Sequence, residues 1–108
     1  AENLNNSEDV QKAIYYCAEN GKILGAICAA PFILGRRGLL KGKNATCFPG
    51  FEDELKGANL VESGVIIDGN IVTAMGAGVA WEFGAAICSI ILGEEKALQI
   101  LRGIQWRK

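Results

Sequence analysis

The chain has 108 residues, half of them hydrophobic, which is the size of one small domain able to bury a core. Its 11 basic and 12 acidic residues give a formal net charge of −1 without a block of like charge, so nothing predicts nucleic acid or an anionic membrane as a partner. The longest apolar run, residues 87–92, is far too short to span a bilayer, and the polar start of the chain is unlike a secretory signal.

Four cysteines and the absence of histidine limit the chemistry that the chain can perform. The cysteines, which lie far apart in apolar surroundings and form no C-x-x-C pair, are Cys17, Cys28, Cys47 and Cys88. This pattern favours reduced thiols in a cytoplasm over a disulfide framework. A Cys/His zinc site is excluded, and the spacings disfavour a cysteine-only site. A nucleophilic cysteine would need a helix terminus, a carboxylate or a lysine to activate it.

The start of the chain predicts a helix, a strand and a second helix. Apolar residues recur at helical spacing over residues 7–19, which predicts an amphipathic helix that ends at Asn20-Gly21. Residues 23–27 form a short apolar run and predict a buried strand. Pro31 suits the first turn of the short helix that should follow.

The middle of the chain predicts further short strands around a hairpin. We expect a strand over residues 44–47 and one or two helical turns over residues 51–56. The strongest turn signal, Asp68-Gly69-Asn70, predicts a hairpin that joins residues 65–67 to residues 71–73.

Two helices are predicted at the end of the chain. After the glycine-rich loop Met75-Gly76-Ala77-Gly78, a wide apolar face predicts a helix of about four turns that is largely buried. A last helix is predicted over residues 94–101. Its inward residues are expected to be Ala97, Leu98 and Leu101, and the apolar residues expected to pack beyond it are Ile104 and Trp106. The order of elements is that of an α/β sheet, but so few strands leave an apolar edge and face uncovered, so the chain is expected to be incomplete.

Cys28 is the strongest candidate for a functional residue. It is predicted to lie at the carboxyl end of the first strand and at the amino end of the next helix. Ligands bind at that edge of open α/β sheets, and a helix amino terminus favours a thiolate over a thiol. The alternative is a buried thiol that acts as a small hydrophobic residue, which is the favoured interpretation of Cys17, Cys47 and Cys88. Cys47 lies near the same edge and is also a candidate for secondary oxidation.

Other chemical groups have simpler structural interpretations. The acidic run Glu52-Asp53-Glu54 is expected to be a solvated helical turn rather than an acid/base pair. The loop Gly76-Ala77-Gly78 is expected to be a tight turn rather than a phosphate cradle at a helix terminus. Trp81 and Trp106 are expected to pack in the core or at an interface rather than to stack on a ligand.

Four motifs in a fixed order carry a resemblance to a known family. They are Gly25-Ala26-Ile27-Cys28-Ala29-Ala30-Pro31, Gly38-Leu39-Leu40-x-Gly42-Lys43-x-Ala45-Thr46, Asp68-Gly69-Asn70-Ile71-Val72-Thr73 and Gly76-x-Gly78-x-x-x-Glu82-Phe83-Gly84. Together they resemble the ThiJ/PfpI (DJ-one) family from residue 1 to the final helix. The resemblance implies a flavodoxin-like (class I glutamine amidotransferase-like) α/β sandwich, here lacking its amino-terminal strands and helices.

The same resemblance assigns roles to two residues and identifies what the chain lacks. It implies that Cys28 is a nucleophile-elbow cysteine and that the Ala29 N–H is one oxyanion donor. In the family a glutamate and a glycine-rich turn precede this region. The chain departs from the family pattern at two places. Phe48 precedes Pro49 where many members have histidine, which weakens the expectation of a proton relay. Met75 and Ala77 stand where arginine and proline are common, which weakens the expectation that this loop binds a carboxylate.

The resemblance implies a cofactor-independent cysteine enzyme of the glyoxalase or protein deglycase kind, acting on α-oxoaldehydes or their adducts. The alternative is an oxidative-stress sensor or chaperone that uses oxidation of Cys28 without turnover. The implied partners are the missing amino-terminal half of the domain, a second copy in a homodimer and a small aldehyde substrate. No cofactor, metal, nucleic acid or membrane is expected, and the isolated 108-residue chain is expected to be inactive.

Overall fold

The structure is a computed structural model and describes residues 1–104. Its main sheet has three strands in the order β1-β5-β4, where β1 is Leu24–Ile27, β4 is Val65–Asp68 and β5 is Ile71–Ala74. Strand β1 runs parallel to β5, and β4 and β5 form the predicted antiparallel hairpin. All four residues of β5 are buried, as expected for a central strand, whereas β1 pairs on one side only within the described residues.

A smaller parallel pair lies beside this sheet, formed by β2 (Asn44–Ala45) and β3 (Asn59–Leu60). The strand predicted over residues 44–47 therefore ends two residues early. The reason is that the Thr46 N–H donates to the side-chain hydroxyl of Thr73 at 3.0 Å instead of to a main-chain carbonyl oxygen of a neighbouring strand. This step carries the chain towards the carboxyl end of β1.

The helices at the start of the chain agree with the predictions except for one. Helix α2 (Glu8–Glu19) begins where the Ser7 hydroxyl accepts the Val10 N–H, and α3 (Pro31–Arg36) begins at the proline. The polar start, for which no helix was predicted, forms the short helix α1 (Glu2–Asn5). The core packs α2 and α3 against one face of the sheet. Its buried residues include Ile14, Leu24, Phe32, Ile33, Leu34, Leu40, Leu55 and Ile71.

Helix α4 (Ala80–Leu92) packs against β1 at a close approach that a glycine permits. A Cβ atom built on Gly25 would lie 3.1 Å from the ends of the Phe83 and Ile87 side chains, so a larger residue there would require those side chains to shift by a few tenths of an ångström. The helix α5 (Glu94–Gly103) packs in turn against α4.

The prediction that this helix is largely buried is wrong. No residue of α4 is buried, and the side chains of Trp81 and Ile91 are 64% and 63% exposed. Within residues 1–104 the elements that pack most against α4 are α5, the three strands of the main sheet and the 3-10 turn before α4, and they leave much of its apolar surface open. On α5, Ala97 and Leu101 are buried as predicted, but Leu98 is exposed because it lies about 100° around the helix from Ala97.

Ile104, which was expected to pack, is half-exposed, and Trp106 lies outside the described residues. No helix in the described part of the chain is both long and apolar enough to cross a membrane.

Candidate functional site

Cys28 has an unusual backbone conformation at the turn between β1 and α3. Its φ of 65° makes it the single non-glycine residue with a positive φ among residues 1–104. The left-handed region costs a residue with a Cβ atom about 1–2 kcal/mol, so it persists only where the surroundings impose it. Such a turn points a side chain away from the sheet edge, as in nucleophile elbows.

Hydrogen bonds from two neighbouring segments impose this conformation. The Cys28 N–H donates to the Ala74 carbonyl oxygen at 2.9 Å, which extends the β1–β5 pairing by one residue. The Cys28 carbonyl oxygen accepts the Phe48 N–H at 2.7 Å. The elbow is thus held between the carboxyl end of β5 and the segment that follows β2, and no side chain takes part in either bond.

Ala29 follows Cys28 and has a backbone N–H that donates no hydrogen bond to any described residue. Its carbonyl oxygen accepts the Phe32 N–H at 3.1 Å, and the Ala30 carbonyl oxygen accepts the Ile33 N–H at 2.9 Å, so the first turn of α3 is formed. A free N–H directly after an elbow cysteine is in the position from which an oxyanion donor acts.

The other cysteines differ from Cys28 in their surroundings, although all four are free thiols. Cys47 is buried, and burial together with the negative charge of Glu52 raises the pKa of its thiol, partly offset by the Phe51 N–H. This agrees with the predicted buried thiol. Cys17 is half-buried against the edge of the core, and Cys88 is half-buried in an apolar groove between α4 and α5.

The acidic run forms a short 3-10 turn, Glu52–Glu54, and only part of it is simply solvated. Glu54 pairs with Arg36 at 3.0 Å, and this hydrogen bond lowers the pKa of its carboxyl group. The Glu52 carboxylate caps the Gly50 N–H at 2.7 Å. Neither carboxylate hydrogen-bonds Cys28, and within residues 1–104 no three His, Cys, Asp or Glu residues lie close enough together to hold a metal ion.

The glycine-rich loop forms the tight turn that was predicted. A 3-10 turn, Ala77–Val79, follows Gly76, and the Val79 N–H donates to the Gly76 carbonyl oxygen at 3.1 Å. Trp81 is largely exposed on α4, so it does not pack in the core of the described residues, and its predicted alternative position at an interface stays a prediction.

A cleft of about 300 Å³ lies next to the elbow and was not predicted. Its lining residues are Ala45, Thr46, Cys47, Pro49, Glu52, Leu60, Val61, Glu62, Ser63 and Met75. They follow or end strands β2, β3 and β5, so the signal that could have identified the cleft is the meeting of carboxyl strand ends at one edge of the fold.

Comparisons with known proteins identify the family. The sequence profile of the DJ-1/PfpI family matches residues 1–90. Protein DJ-1 homolog B of Arabidopsis thaliana is 42% identical over 101 residues, which cover 92% of this chain and 23% of that protein. The glutathione-independent glyoxalase DJR-1.2 of Caenorhabditis elegans is 30% identical over 86 residues, which cover 78% of this chain and 46% of that protein.

The crystal structure of Drosophila melanogaster DJ-1beta superposes with a TM-score of 0.90 at 29% identity, covering 99% of this chain and 59% of that one. The chain thus spans less than half the length of the two curated relatives described above and corresponds to part of a DJ-1-like domain. The predicted flavodoxin-like α/β fold with a partial sheet is confirmed. On this evidence the chain belongs to the DJ-1/PfpI family.

Proposed function

We propose that the protein is a cofactor-independent cysteine enzyme that acts on α-oxoaldehydes or their adducts, with Cys28 as its nucleophile. The observation that carries the proposal is the left-handed backbone of Cys28, since backbone strain of about 1–2 kcal/mol at a reactive side chain is typical of functional sites. The free N–H of Ala29 and a relative named as a glutathione-independent glyoxalase are further support.

The proposed reaction begins when the Cys28 thiolate adds to the aldehyde carbon of the substrate. A C–S bond forms, the carbonyl π electrons move to oxygen, and the Ala29 N–H stabilises the oxyanion. A proton then moves from one carbon of the substrate to the other, which oxidises the first and reduces the second, and water releases the hydroxy acid. The overall change needs no redox cofactor because oxidation and reduction balance within the substrate. A carboxylate from outside the described residues would carry the proton.

The experiment is methylglyoxal turnover by the full-length protein and its Cys28→Ser variant. We expect the variant to lose at least 100-fold in kcat/KM because serine is a much weaker nucleophile without an activating base. Cys88→Ser is the matched control, since Cys88 lies in the groove between α4 and α5 and should be dispensable. Equal rates for the wild type and Cys28→Ser would refute the proposal.

A second candidate function is an oxidation sensor or chaperone that uses Cys28. The observation in its favour is the contrast between the partly exposed Cys28 and the buried Cys47, whose raised pKa protects it from oxidation. Mass spectrometry after mild peroxide treatment should then show two added oxygens on Cys28 before any other cysteine. Equal oxidation of all four cysteines would count against this function.

We also propose that the site is completed by the remainder of the domain and that the whole protein forms a homodimer. The support is the uncovered apolar surface of α4 and the unpaired side of β1 within residues 1–104. Purified alone, the 108-residue chain should aggregate or lose near-ultraviolet circular dichroism; a well-folded monomer would contradict this. The four free thiols support a cytoplasmic location.

A further inference from the structure

The segment that contains β2 donates three hydrogen bonds to the main sheet and the elbow. The donors are N–H groups of alternate residues, and in chain order the bonds are Asn44 to the Asp68 carboxylate at 2.8 Å, Thr46 to the Thr73 hydroxyl at 3.0 Å and Phe48 to the Cys28 carbonyl oxygen at 2.7 Å. Alternate N–H groups of an extended chain point to the same side. One side of this segment therefore faces the main sheet, from the end of β4 past β5 to the elbow.

Thr73 is the polar residue of an otherwise apolar strand. The other residues of β5 are Ile71, Val72 and Ala74, and all four are buried. The main-chain groups of β5 pair with β1 on one side and with β4 on the other, so a third segment can bond this strand only through a side chain. A buried hydroxyl costs free energy unless it has a partner, and here the partner is the Thr46 N–H. The Thr73 hydroxyl thus ties the β2 segment to the centre of the sheet.

The position of Thr46 determines where Phe48 lies. Only the buried Cys47 separates the two residues, which lie at most about 7 Å apart along the chain, so a displacement of one N–H group is passed to the other. The Phe48 N–H in turn holds the peptide unit between Cys28 and Ala29, because it binds the carbonyl oxygen of that unit. In a planar trans peptide the N–H points opposite to the C=O, so the bond to Phe48 also sets the direction of the Ala29 N–H.

We propose that Thr73 is a positioning residue for the elbow. Its buried hydroxyl holds the β2 segment so that Phe48 fixes the peptide unit after Cys28 and aims the free Ala29 N–H at the oxyanion. This inference rests on the proposed function for the identity of the oxyanion, whereas the orientation of the peptide unit does not depend on any reaction. Thr73 acts through two main-chain N–H groups and not on the reacting atoms.

Hydrogen exchange in the full-length protein tests the positioning without any turnover. Thr73→Val keeps the shape of the side chain and removes the acceptor. We expect the Phe48 amide of this variant to exchange at least about tenfold faster relative to the Cys28 amide, which is bound to Ala74 instead. Thr73→Ser retains the acceptor, so the ratio of the two exchange rates should stay within about threefold of the wild-type ratio.

Ile71→Val is the matched control. Ile71 is buried on the same face of β5 as Thr73, and the change removes one carbon atom without removing a hydrogen bond. It should leave the ratio of the two exchange rates unchanged.

Methylglyoxal turnover then measures the effect on the proposed reaction. Because an oxyanion donor acts in the transition state, Thr73→Val should lower kcat at least about tenfold and change KM less than about threefold. Thr73→Ser should restore most of kcat, and Ile71→Val should keep kcat within about twofold of the wild type. If Thr73→Val does not fold, the pair Thr73→Ser and Thr73→Ala gives the same comparison, since these two variants differ only in the hydroxyl.

An unchanged ratio of exchange rates in Thr73→Val, or an equal kcat for Thr73→Val and Ile71→Val, would overturn the proposal. If the ratio rises as expected but the wild type shows no turnover that depends on Cys28, the proposed function fails, and the positioning of the peptide unit by Thr73 stands.

Discussion

Replacing Gly35 with alanine should destabilise the protein, although Gly35 lies inside helix α3. In an unobstructed helix the change would stabilise the fold by about 1 kcal/mol, because alanine is the better helix former. Here a Cβ atom on Gly35 would overlap the Glu54 carbonyl oxygen and lie 3.1 Å from the Leu55 Cα atom. Both are main-chain atoms, held by hydrogen bonds of 3.0 Å from the Glu54 and Leu55 N–H groups to the preceding turn.

Because a main-chain turn cannot rotate away as a side chain can, α3 and the turn must separate. Overpacking costs about 1–3 kcal/mol, and an overlap with main-chain atoms belongs in the upper part of that range, at about 2–3 kcal/mol, so after subtraction of the helical gain we expect a net loss of about 1–2 kcal/mol. For a domain of this size that loss lowers the Tm by about 4–16 °C, which thermal and urea unfolding of the protein would both detect.

Gly84→Ala is the matched control for this prediction. Gly84 lies in helix α4, and a Cβ atom built there meets nothing within 4 Å, so the same substitution should raise the Tm by a few degrees. If Gly35→Ala melts at or above the wild-type temperature, the contact between α3 and the acidic turn is looser than its geometry indicates, and the reasoning fails.

Three further perturbations test the core and the site. Leu40→Ala removes a fully buried side chain and should lower the free energy of unfolding by about 2–5 kcal/mol in urea titrations. Thr73→Val leaves the buried Thr46 N–H without its acceptor and should cost about 1–3 kcal/mol in the same assay, whereas a neutral effect would mean that the N–H finds another partner. The raised pKa of Cys47 contributes stability that is present below the ordinary thiol pKa of 9.0 and is lost as pH rises through the folded-state value. The urea concentration at the midpoint of unfolding should therefore decrease less steeply with rising alkaline pH in the Cys47→Ala variant than in the wild type. An unchanged pH dependence would assign that decrease to other groups.

Local patterns in the sequence determined most of the secondary structure. Ser7, Pro31 and Asp68-Gly69-Asn70 each act within a few residues, as a helix cap, a first helical residue and a hairpin turn, so their effects do not depend on distant parts of the chain. The placement of Cys28 between a strand and a helix was predictable for the same reason. The family motifs then made the fold predictable, which the comparisons confirm.

Only the tertiary structure decided the properties that depend on contacts between distant segments. The left-handed conformation of Cys28 depends on hydrogen bonds to Ala74 and Phe48, and the end of β2 depends on the hydroxyl of Thr73. Helical periodicity correctly identified an apolar face on α4, but it carries no information about whether a neighbour covers that face. The cleft beside Cys28 was unpredictable for the same physical reason, because its walls come from three strand ends that meet only when the chain is folded.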